Sequence, residues 1–315
     1  MSDCSRRASR RPPAVLRVMA LTGLVMACQR DGGRDAARAT VRDSVSTATP
    51  AAAPAGASRL QLAPGTFGFA NADGSLLLAL EAVANPAAMQ GTLCPGAPAR
   101  RVVTAGHQPQ GTHDSGRQTA ENFGENAGER FRVEGGPVPR NVSCYVTADS
   151  ALLAGTLPFA PPPLAPPRKG IRAGAVAVPC DSAWAARVSD ARGRAVVECW
   201  PMGGVPGGPD LMAVRFVTRD TNALASLVAR DGGTLWFHDF PAVDHGQGQA
   251  VWRLDDGGKF PAAAMRIRFL SRVRGVLVVG MTWDGAEGEN AYLLAADSSG
   301  AFRTLQHTYR YTAPM

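Results

Sequence analysis

Residues 266–311, RIRFLSRVRGVLVVGMTWDGAEGENAYLLAADSSGAFRTLQHTYRY, carry the clearest signal of the fold in this chain. Apolar, β-branched and aromatic residues are concentrated in four runs, at 266–270, 276–282, 292–295 and 302–311. Such runs favour strands, and the pairs Asp284-Gly285 and Ser299-Gly300 between them are typical of tight turns. The stretch therefore predicts consecutive antiparallel strands connected by hairpins.

The same signal continues toward the N-terminus from residue 266. Further strand-like runs lie at 174–179, 195–200, 212–218, 234–239 and 250–254. Residues 222–230 are the exception, because Leu224, Leu227 and Val228 share one face of a helix, and we predict a helix there. The short, closely spaced strands predict a β-sandwich or open barrel over residues 171–315.

A second β-rich region is predicted over residues 60–157, and it begins with a hairpin signal. Two apolar runs flank the turn-forming sequence Asn71-Ala72-Asp73-Gly74, which is typical of a strand, a tight turn and a second strand. A short helix over residues 76–84, stopped before Pro86, is the alternative interpretation of the second run.

A polar, glycine-rich stretch occupies residues 105–128 of the same region. Strand-like alternation follows it at 130–133 and at 142–146. We therefore expect a long loop held in place by two strands.

A proline-rich segment at 158–170 separates the two regions. Proline cannot donate to a sheet ladder and favours an extended polyproline conformation, so this segment is predicted to be a linker. With 35 Gly and 24 Pro, the chain also contains more helix-breaking residues than a helical bundle tolerates. The predicted fold is mainly β, with two disulfide-bonded β-rich regions joined by a Pro-rich linker and one or two short helices.

The first 28 residues have the layout of an export signal. An arginine-rich segment ends at Arg17, and the uncharged apolar stretch 18–27 after it is too short to span a bilayer as a helix. The segment Leu24-Val25-Met26-Ala27-Cys28 resembles the lipobox of bacterial lipoproteins, in which an apolar pair and a small residue precede a lipidated cysteine. The resemblance implies cleavage before Cys28, a diacylglycerol on its sulfur, and an acyl chain such as palmitate on its new N-terminus.

The resemblance also implies where in the cell the protein is located. Residues 1–27 are predicted to be a signal peptide and residues 28–59 a lipid-anchored disordered tether, since the tether has almost no large apolar residue. Gln29 after the cysteine implies the outer membrane, facing the periplasm or the cell surface. An ordinary secretory signal with an incidental Cys28 is the alternative, and the paired arginines at 6–7 and 10–11 leave open whether export follows the general secretory or the twin-arginine route.

The net charge of +7 does not indicate a nucleic-acid-binding protein. The excess of arginine is concentrated in the predicted signal peptide, at Arg6, Arg7, Arg10, Arg11 and Arg17. No basic run with interleaved aromatic residues follows residue 60, so nucleic acid is excluded as an expected partner. No uncharged apolar run approaches the roughly 18 residues of a spanning helix, and we expect membrane contact through the lipid anchor alone.

The six cysteines are Cys4, Cys28, Cys94, Cys144, Cys180 and Cys199. Cys4 would leave with the signal peptide and Cys28 would carry lipid, so four remain, an even number that is typical of an oxidising compartment. Of the three possible pairings, the Pro-rich segment favours the two local ones, Cys94 with Cys144 and Cys180 with Cys199. Zinc binding would need closely spaced Cys-x-x-Cys pairs, which the sequence lacks.

The densest cluster of polar side chains that could bind a metal lies in residues 236–245. His238, Asp239, Asp244 and His245 are of the types that bind zinc or iron, and a turn could bring them together. We favour the structural interpretation, in which the two acids form turns around Pro241, and expect neither metal nor cofactor.

Two further stretches are weaker candidates for a binding site. His107, His113 and Asp114 lie in the polar stretch 106–116, and residues 283–290 form an acidic, glycine-rich hairpin turn. Solvated loops explain both stretches without a ligand. The sequence has no Gly-x-Ser-x-Gly elbow, no P-loop and no His-Glu-x-x-His motif.

These observations lead to one functional expectation and one alternative. The expected protein is a lipid-anchored cell-envelope protein with a non-catalytic binding or structural role, whose partner is an envelope protein or a cell-wall glycan. The alternative is a metal-dependent envelope hydrolase, in which His238, Asp239, Asp244 and His245 hold a metal that lowers the pKa of a bound water.

Overall fold

The computed structural model describes residues 60–162, 176–246, 250–252 and 258–312. In the first of these ranges, six antiparallel strands form a closed barrel in the order β1-β2-β5-β4-β3-β6. The strands are β1 (Gly65–Ala70), β2 (Leu76–Ala79), β3 (Gly91–Leu93), β4 (Arg100–Gln108), β5 (Gly128–Glu134) and β6 (Ser143–Thr147).

The predicted hairpin at the start of this barrel is confirmed. Strands β1 and β2 pair across the turn at 71–74, where the left-handed backbone of Gly74 (φ 72°) leaves no room for a side chain beside the carbonyl of Val138. The alternative helix over 76–84 is wrong, because β2 pairs on both sides, with β1 and β5, and buries Leu77 and Leu78 completely. A central strand gains ladder hydrogen bonds on both edges, which outweighs the helix propensity of leucine.

In the other described ranges, nine strands form two antiparallel sheets. The five-stranded sheet, in the order β11-β10-β9-β8-β7, contains β7 (Val196–Gly204), β8 (Asp210–Phe216), β9 (Asn222–Asp231), β10 (Thr234–Asp244) and β11 (Ala250–Val251). The four-stranded sheet, in the order β12-β13-β14-β15, contains β12 (Met265–Val273), β13 (Val276–Asp284), β14 (Gly288–Ala296) and β15 (Phe302–Tyr311). The sheets face each other across one apolar core, in which Leu227 and Phe240 of the first meet Met281 and Leu294 of the second. The mainly β prediction is confirmed.

The helix predicted over residues 222–230 is wrong, because this segment is strand β9. Leu227 points into the core between the two sheets, whereas Leu224 and Val228 point to the opposite face, which α2 (Ser182–Arg192) covers. A strand buried on both faces is apolar at nearly every position, so its sequence also contains the spacings of a helix.

The two α-helices of the described residues are short. Helix α1 (Ser150–Ala154) is capped by Asp149, whose side chain accepts a hydrogen bond from the backbone N–H of Leu152. Helix α2 is capped in the same way by Asp181, whose side chain accepts from the backbone N–H of Trp184 at 2.7 Å, and it is followed by Gly193 with a left-handed φ of 58°. Both starts follow the usual preference for Asp before the first helical turn.

The barrel packs directly on the four-stranded sheet. Phe67 and Tyr145 of the barrel share a buried cluster with Phe269 and Leu293 of the sheet, and the rings of Tyr145 and Phe269 lie 6.3 Å apart. This contact brings loops of the barrel next to the β13–β14 turn, where a polar cleft is formed.

Both predicted disulfides are confirmed. Cys94 is bonded to Cys144, with their Cα atoms 4.4 Å apart, and this bond lies in the core of the barrel. Cys180 is bonded to Cys199, with their Cα atoms 5.5 Å apart, and ties the segment before α2 to strand β7.

Several predicted features lie outside the described residues. These are the signal peptide at 1–27, Cys28, the tether at 28–59, most of the Pro-rich segment, and residues 253–254 of one predicted strand.

The polar loop is shorter than expected: β4 runs through Gln108, so the loop covers 109–127. The strands expected after it are confirmed as β5 and β6. Within the described ranges, no helix is long and apolar enough to cross a membrane.

Candidate functional site

The predicted histidine–aspartate site begins on β10, and its first two members face opposite sides of the sheet. His238 lies on the inner face, with its ring 4.9 Å from that of Phe240 and 5.8 Å from that of Tyr292. Burial lowers the pKa of His238 below its usual value, and the charge of Asp239 offsets this only in part. Asp239 lies on the outer face, where it accepts a hydrogen bond from Ser226 at 2.6 Å and pairs with Arg192.

The other two predicted members lie at the end of β10. Asp244 is buried and organises the following turn, with its Oδ1 accepting from the backbone N–H of Gly246 at 2.9 Å. His245 is exposed beside it. In the part of the chain that the structure describes, no group of three or more His, Cys, Asp or Glu side chains could hold a metal. The geometry therefore gives the hydrolase alternative no support.

The histidines of the polar loop do not form a site either. His107 lies on β4, and its Nδ1 is 2.9 Å from a carboxylate oxygen of Glu129 on the neighbouring strand. Asp114 is surrounded by side-chain amides, from Gln110, Asn122 and Asn126. Among the described residues, His107 and His113 therefore do not converge with Asp114 as a metal site.

A polar cleft of about 640 Å³ lies where the barrel meets the four-stranded sheet. The loop before β5, the turn before β6 and the strands β12 to β15 all contribute to its walls. Its charged lining residues are Arg117, Glu121, Arg140, Arg268, Asp284, Glu289 and Arg310. Four guanidinium groups and three carboxylates therefore face one space.

The inner wall of the cleft is a buried ion-pair network centred on Glu289. Oε2 of Glu289 lies 3.0 Å from Arg268, and Oε1 lies 3.1 Å from Arg310. The hydroxyl of Ser143 also donates a hydrogen bond to Oε1. Glu289 is 6% exposed and Arg310 is 2% exposed. Burial alone would raise the pKa of Glu289, but the two arginine charges and the Ser143 hydrogen bond outweigh it and hold the pKa below its usual value.

The neighbours of this network hold it in place. Arg310 donates from Nε to the carbonyl of Gln118 at 2.7 Å and from Nη1 to the carbonyl of Asn141 at 3.1 Å. Arg268 donates from Nε to the hydroxyl of Thr282 at 2.8 Å. Arg310 therefore links β15 to two loops of the barrel, and the network fixes how the cleft is shaped.

The rim of the cleft is charged and accessible. Arg117 is exposed, and Arg140 pairs with Glu121 at 2.6 Å in an ion pair whose two side chains are both more than half exposed. Exposed guanidinium groups can exchange such a partner for a carboxylate of a ligand, to which they donate two parallel hydrogen bonds.

Sequence reasoning missed this cleft, although part of its lining was visible. The acidic turn at 283–290 was singled out, and Glu289 and Asp284 belong to it. Arg268 and Arg310 give only a weak signal, as charged residues within strand-like runs. Their pairing with Glu289 joins three different strands, which the sequence alone does not align.

Comparison of the chain with protein-family models, with curated proteins and with solved structures gave no match.

Proposed function

We propose that this protein is exported, is held on an envelope membrane by lipid on Cys28, and acts by binding a partner rather than by catalysis. The partner is an envelope protein or a cell-wall glycan. Gln29, the residue after Cys28, favours the outer membrane as the location. The folded part, which begins at residue 60 in the described range, would face the periplasm or the cell surface.

The observation that carries this proposal is the pairing of every cysteine that follows Cys28. Cys94, Cys144, Cys180 and Cys199 form two disulfides. Structural disulfides persist in the bacterial periplasm and at cell surfaces, whereas cytosolic thiols are kept reduced. This supports an exported protein and leaves Cys28 as the thiol that the lipobox-like sequence assigns to lipid.

Binding is supported by the chemistry of the polar cleft. Its rim presents Arg117 and Arg140 to solvent on a rigid base of buried ion pairs. Guanidinium groups recognise carboxylates through charge-assisted hydrogen bonds, and each exposed pair of this kind contributes up to about 1 kcal/mol. The cleft therefore favours a partner that carries carboxylate groups.

The substitution Cys28→Ser should move the protein from the membrane fraction to the soluble fraction. Several acyl chains, at about 0.8 kcal/mol for each buried methylene, anchor a protein stably, and serine cannot form the thioether that carries them. The measurement is fractionation of cells followed by partition into detergent. Cys4→Ser is the matched control and should stay in the membrane fraction, because Cys4 lies in the predicted signal peptide. Unchanged partition of the Cys28 variant, with a wild-type mass that lacks acyl chains, would refute the anchor.

Removing the charges of the cleft rim should weaken capture of the partner. For the double variant Arg117→Ala, Arg140→Ala we expect about a tenfold loss of the protein or glycan recovered with the wild type from solubilised envelopes, because two exposed charge pairs together contribute up to about 2 kcal/mol. The matched control, Arg101→Ala with Arg132→Ala, removes two exposed arginines from β4 and β5 of the same barrel. Equal losses in the two double variants would show that the cleft is not the binding surface.

A further inference from the structure

An apolar groove lies beside the polar cleft, on the face of the four-stranded sheet that meets the barrel. It has a volume of about 440 Å³ and runs between the turn after β3 and the segment after α1. Its main lining residues are Ala97, Pro98, Leu157, Phe159, Arg268 and Phe269. Binding sites for small molecules have volumes of about 300–1,000 Å³ and combine apolar walls with a few polar groups. The groove has the size and the composition of such a site.

Both walls of the groove are held in place by other parts of the fold. One wall begins at Cys94, in the barrel disulfide, and contains two prolines, whose rings restrict the backbone. In the other wall, the backbone N–H of Leu157 donates to the carbonyl of Leu270 in β12 at 2.9 Å. The N–H of Ala160 donates to the carbonyl of Gly204 in β7 at 2.8 Å. A groove with fixed walls admits a ligand without a large cost of ordering.

The groove is accessible from solvent. Pro98 and Pro158 are exposed, whereas Phe269 is only 4% exposed and lies at the floor. Among the described residues that line the groove, Arg268 alone carries a charge. A ligand that enters the groove therefore meets apolar walls and one guanidinium group.

A β-bulge places Arg268 on the face of β12 that bears Phe269. The pairing of β12 with β13 shifts register between Ile267 and Phe269, so Arg268 is the extra residue. Ile267 packs in the core between the two sheets, whereas Phe269 packs against the barrel. Bulges of this kind re-aim a side chain and are frequent beside functional sites.

Arg268 retains a free hydrogen-bond donor. Its Nε donates to Thr282 at 2.8 Å and its Nη2 to Glu289 at 3.0 Å, whereas its Nη1 makes no hydrogen bond to any residue in the described ranges. Glu289 is shared with Arg310, whose charge Asp284 also offsets. The charge of Arg268, a side chain that is 16% exposed, is thus only partly balanced. A guanidinium group in this state favours an anion.

The walls of the groove determine what the anion is attached to. Peptides and glycans carry polar groups that need hydrogen-bond partners when they are buried. Apart from Arg268, the described lining offers the hydroxyl of Thr156, which already donates to the carbonyl of Leu153 at 2.8 Å. An alkyl chain has no such groups, and every methylene that leaves water is favourable. The groove therefore favours an alkyl chain over a peptide or a glycan.

We propose that the apolar groove binds the alkyl chain of a fatty acid and that Arg268 binds its carboxylate. The carboxylate accepts from Nη1 of Arg268, and its single negative charge matches the single positive charge that is partly unbalanced. The chain lies against Phe159 and Phe269. Arg268 lines both the groove and the polar cleft, so the head of the ligand lies where the two spaces meet. This site does not depend on lipid at Cys28 or on the partner bound at the cleft rim.

The experiment is isothermal titration calorimetry with sodium dodecanoate below its micelle concentration. The protein is the full chain with Cys28→Ser, recovered from the soluble fraction, so that neither detergent nor attached lipid competes for the groove. We expect one dodecanoate per chain. Decanoate should bind about fifteenfold more weakly, because each lost methylene weakens binding about fourfold. Absence of dodecanoate binding at about 1 mM would overturn the proposal.

Two further ligands test the chemistry of the head and the tail. Dodecyltrimethylammonium has the same chain with a cationic head, and we expect it to bind at least about tenfold more weakly than dodecanoate. A short apolar peptide with a free C-terminal carboxylate should also bind more weakly. Equal binding of the cation would overturn the role of Arg268, and equal or tighter binding of the peptide would overturn the choice of an alkyl chain.

Substitution of Arg268 tests the charge within the site. Arg268→Gln should weaken dodecanoate binding about tenfold, whereas Arg268→Lys, which keeps the charge, should recover most of it. A purely structural role in the pair with Glu289 would leave the preference for dodecanoate over dodecyltrimethylammonium unchanged in Arg268→Gln, and that result would overturn the proposal.

A variant outside the ion-pair network locates the site. Ala97→Trp fills the groove with an indole ring and should abolish dodecanoate binding. Ala72→Trp places the same ring in the exposed β1–β2 turn of the barrel and should bind dodecanoate as the parent protein does. Unchanged binding by Ala97→Trp would show that the fatty acid does not occupy the groove.

Discussion

Replacing Glu289 by glutamine should lower the free energy of unfolding at pH 7 by about 3–5 kcal/mol, because the change removes the carboxylate that pairs with the buried Arg310 and the partly buried Arg268. Arg268 and Arg310 lie 3.0 and 3.1 Å from its two carboxylate oxygens. Urea-induced unfolding followed by circular dichroism measures the loss. The matched control is Glu121→Gln, which breaks an exposed pair with Arg140 and should cost no more than about 1 kcal/mol.

The pH dependence of this loss has a defined sign. The folded-state pKa of Glu289 lies below its usual value, so its contribution to stability is fully present above the unfolded-state pKa of about 4.3. The contribution disappears as the pH falls through the lower folded-state pKa. The difference between wild type and Glu289→Gln should therefore be constant near neutrality and shrink in acid. A difference that does not change down to about pH 3 would show that Glu289 is not held ionised in the fold.

Replacing Cys94 and Cys144 together by alanine should lower the free energy of unfolding by about 4 kcal/mol. The bond closes a loop between residues 50 positions apart, and its loss releases the chain entropy of the unfolded state. Both cysteines are buried in the barrel core, so smaller side chains also leave a cavity. Denaturant unfolding of the non-reduced proteins measures the change.

The second disulfide provides the comparison for this experiment. Cys180 and Cys199 are 19 positions apart, so their joint replacement by alanine should cost about 3 kcal/mol. A loss below about 1 kcal/mol for the first pair would contradict a structural role for that bond in the barrel.

Most of the strands could be predicted because their signals are local, but the strand predicted over 174–179 is wrong in its described part, where Val178 forms only an isolated bridge with Cys199. The disulfide pairing could be predicted from the even number of cysteines and the position of the Pro-rich segment. Strand β13 carries an unbroken apolar run, and tight turns separate the strands of the four-stranded sheet. The segment over β9 was misassigned because a strand that is buried on both faces has no period of two. Helix α2 was missed although Asp181 before it and Gly193 after it are standard boundary residues. Its few apolar residues, Trp184 and Val188, were too sparse to indicate a helical face.

The sites were harder to predict, because their residues meet only in the folded chain. His238 and Asp239 are adjacent in the sequence and face opposite sides of one strand, so nearness along the chain was misleading. The polar cleft joins residues from 117 to 312, and its decisive pairs cross between strands.

The intact mass of the protein purified from membranes tests the central claim most directly. We predict a chain that begins at Cys28, carries a diacylglycerol and a further acyl chain on that residue, and lacks the thiol hydrogens of the cysteines in the two disulfides. A chain that keeps residues 1–27, or one whose Cys28 is unmodified, would contradict the proposal that lipid on Cys28 holds this protein in the envelope.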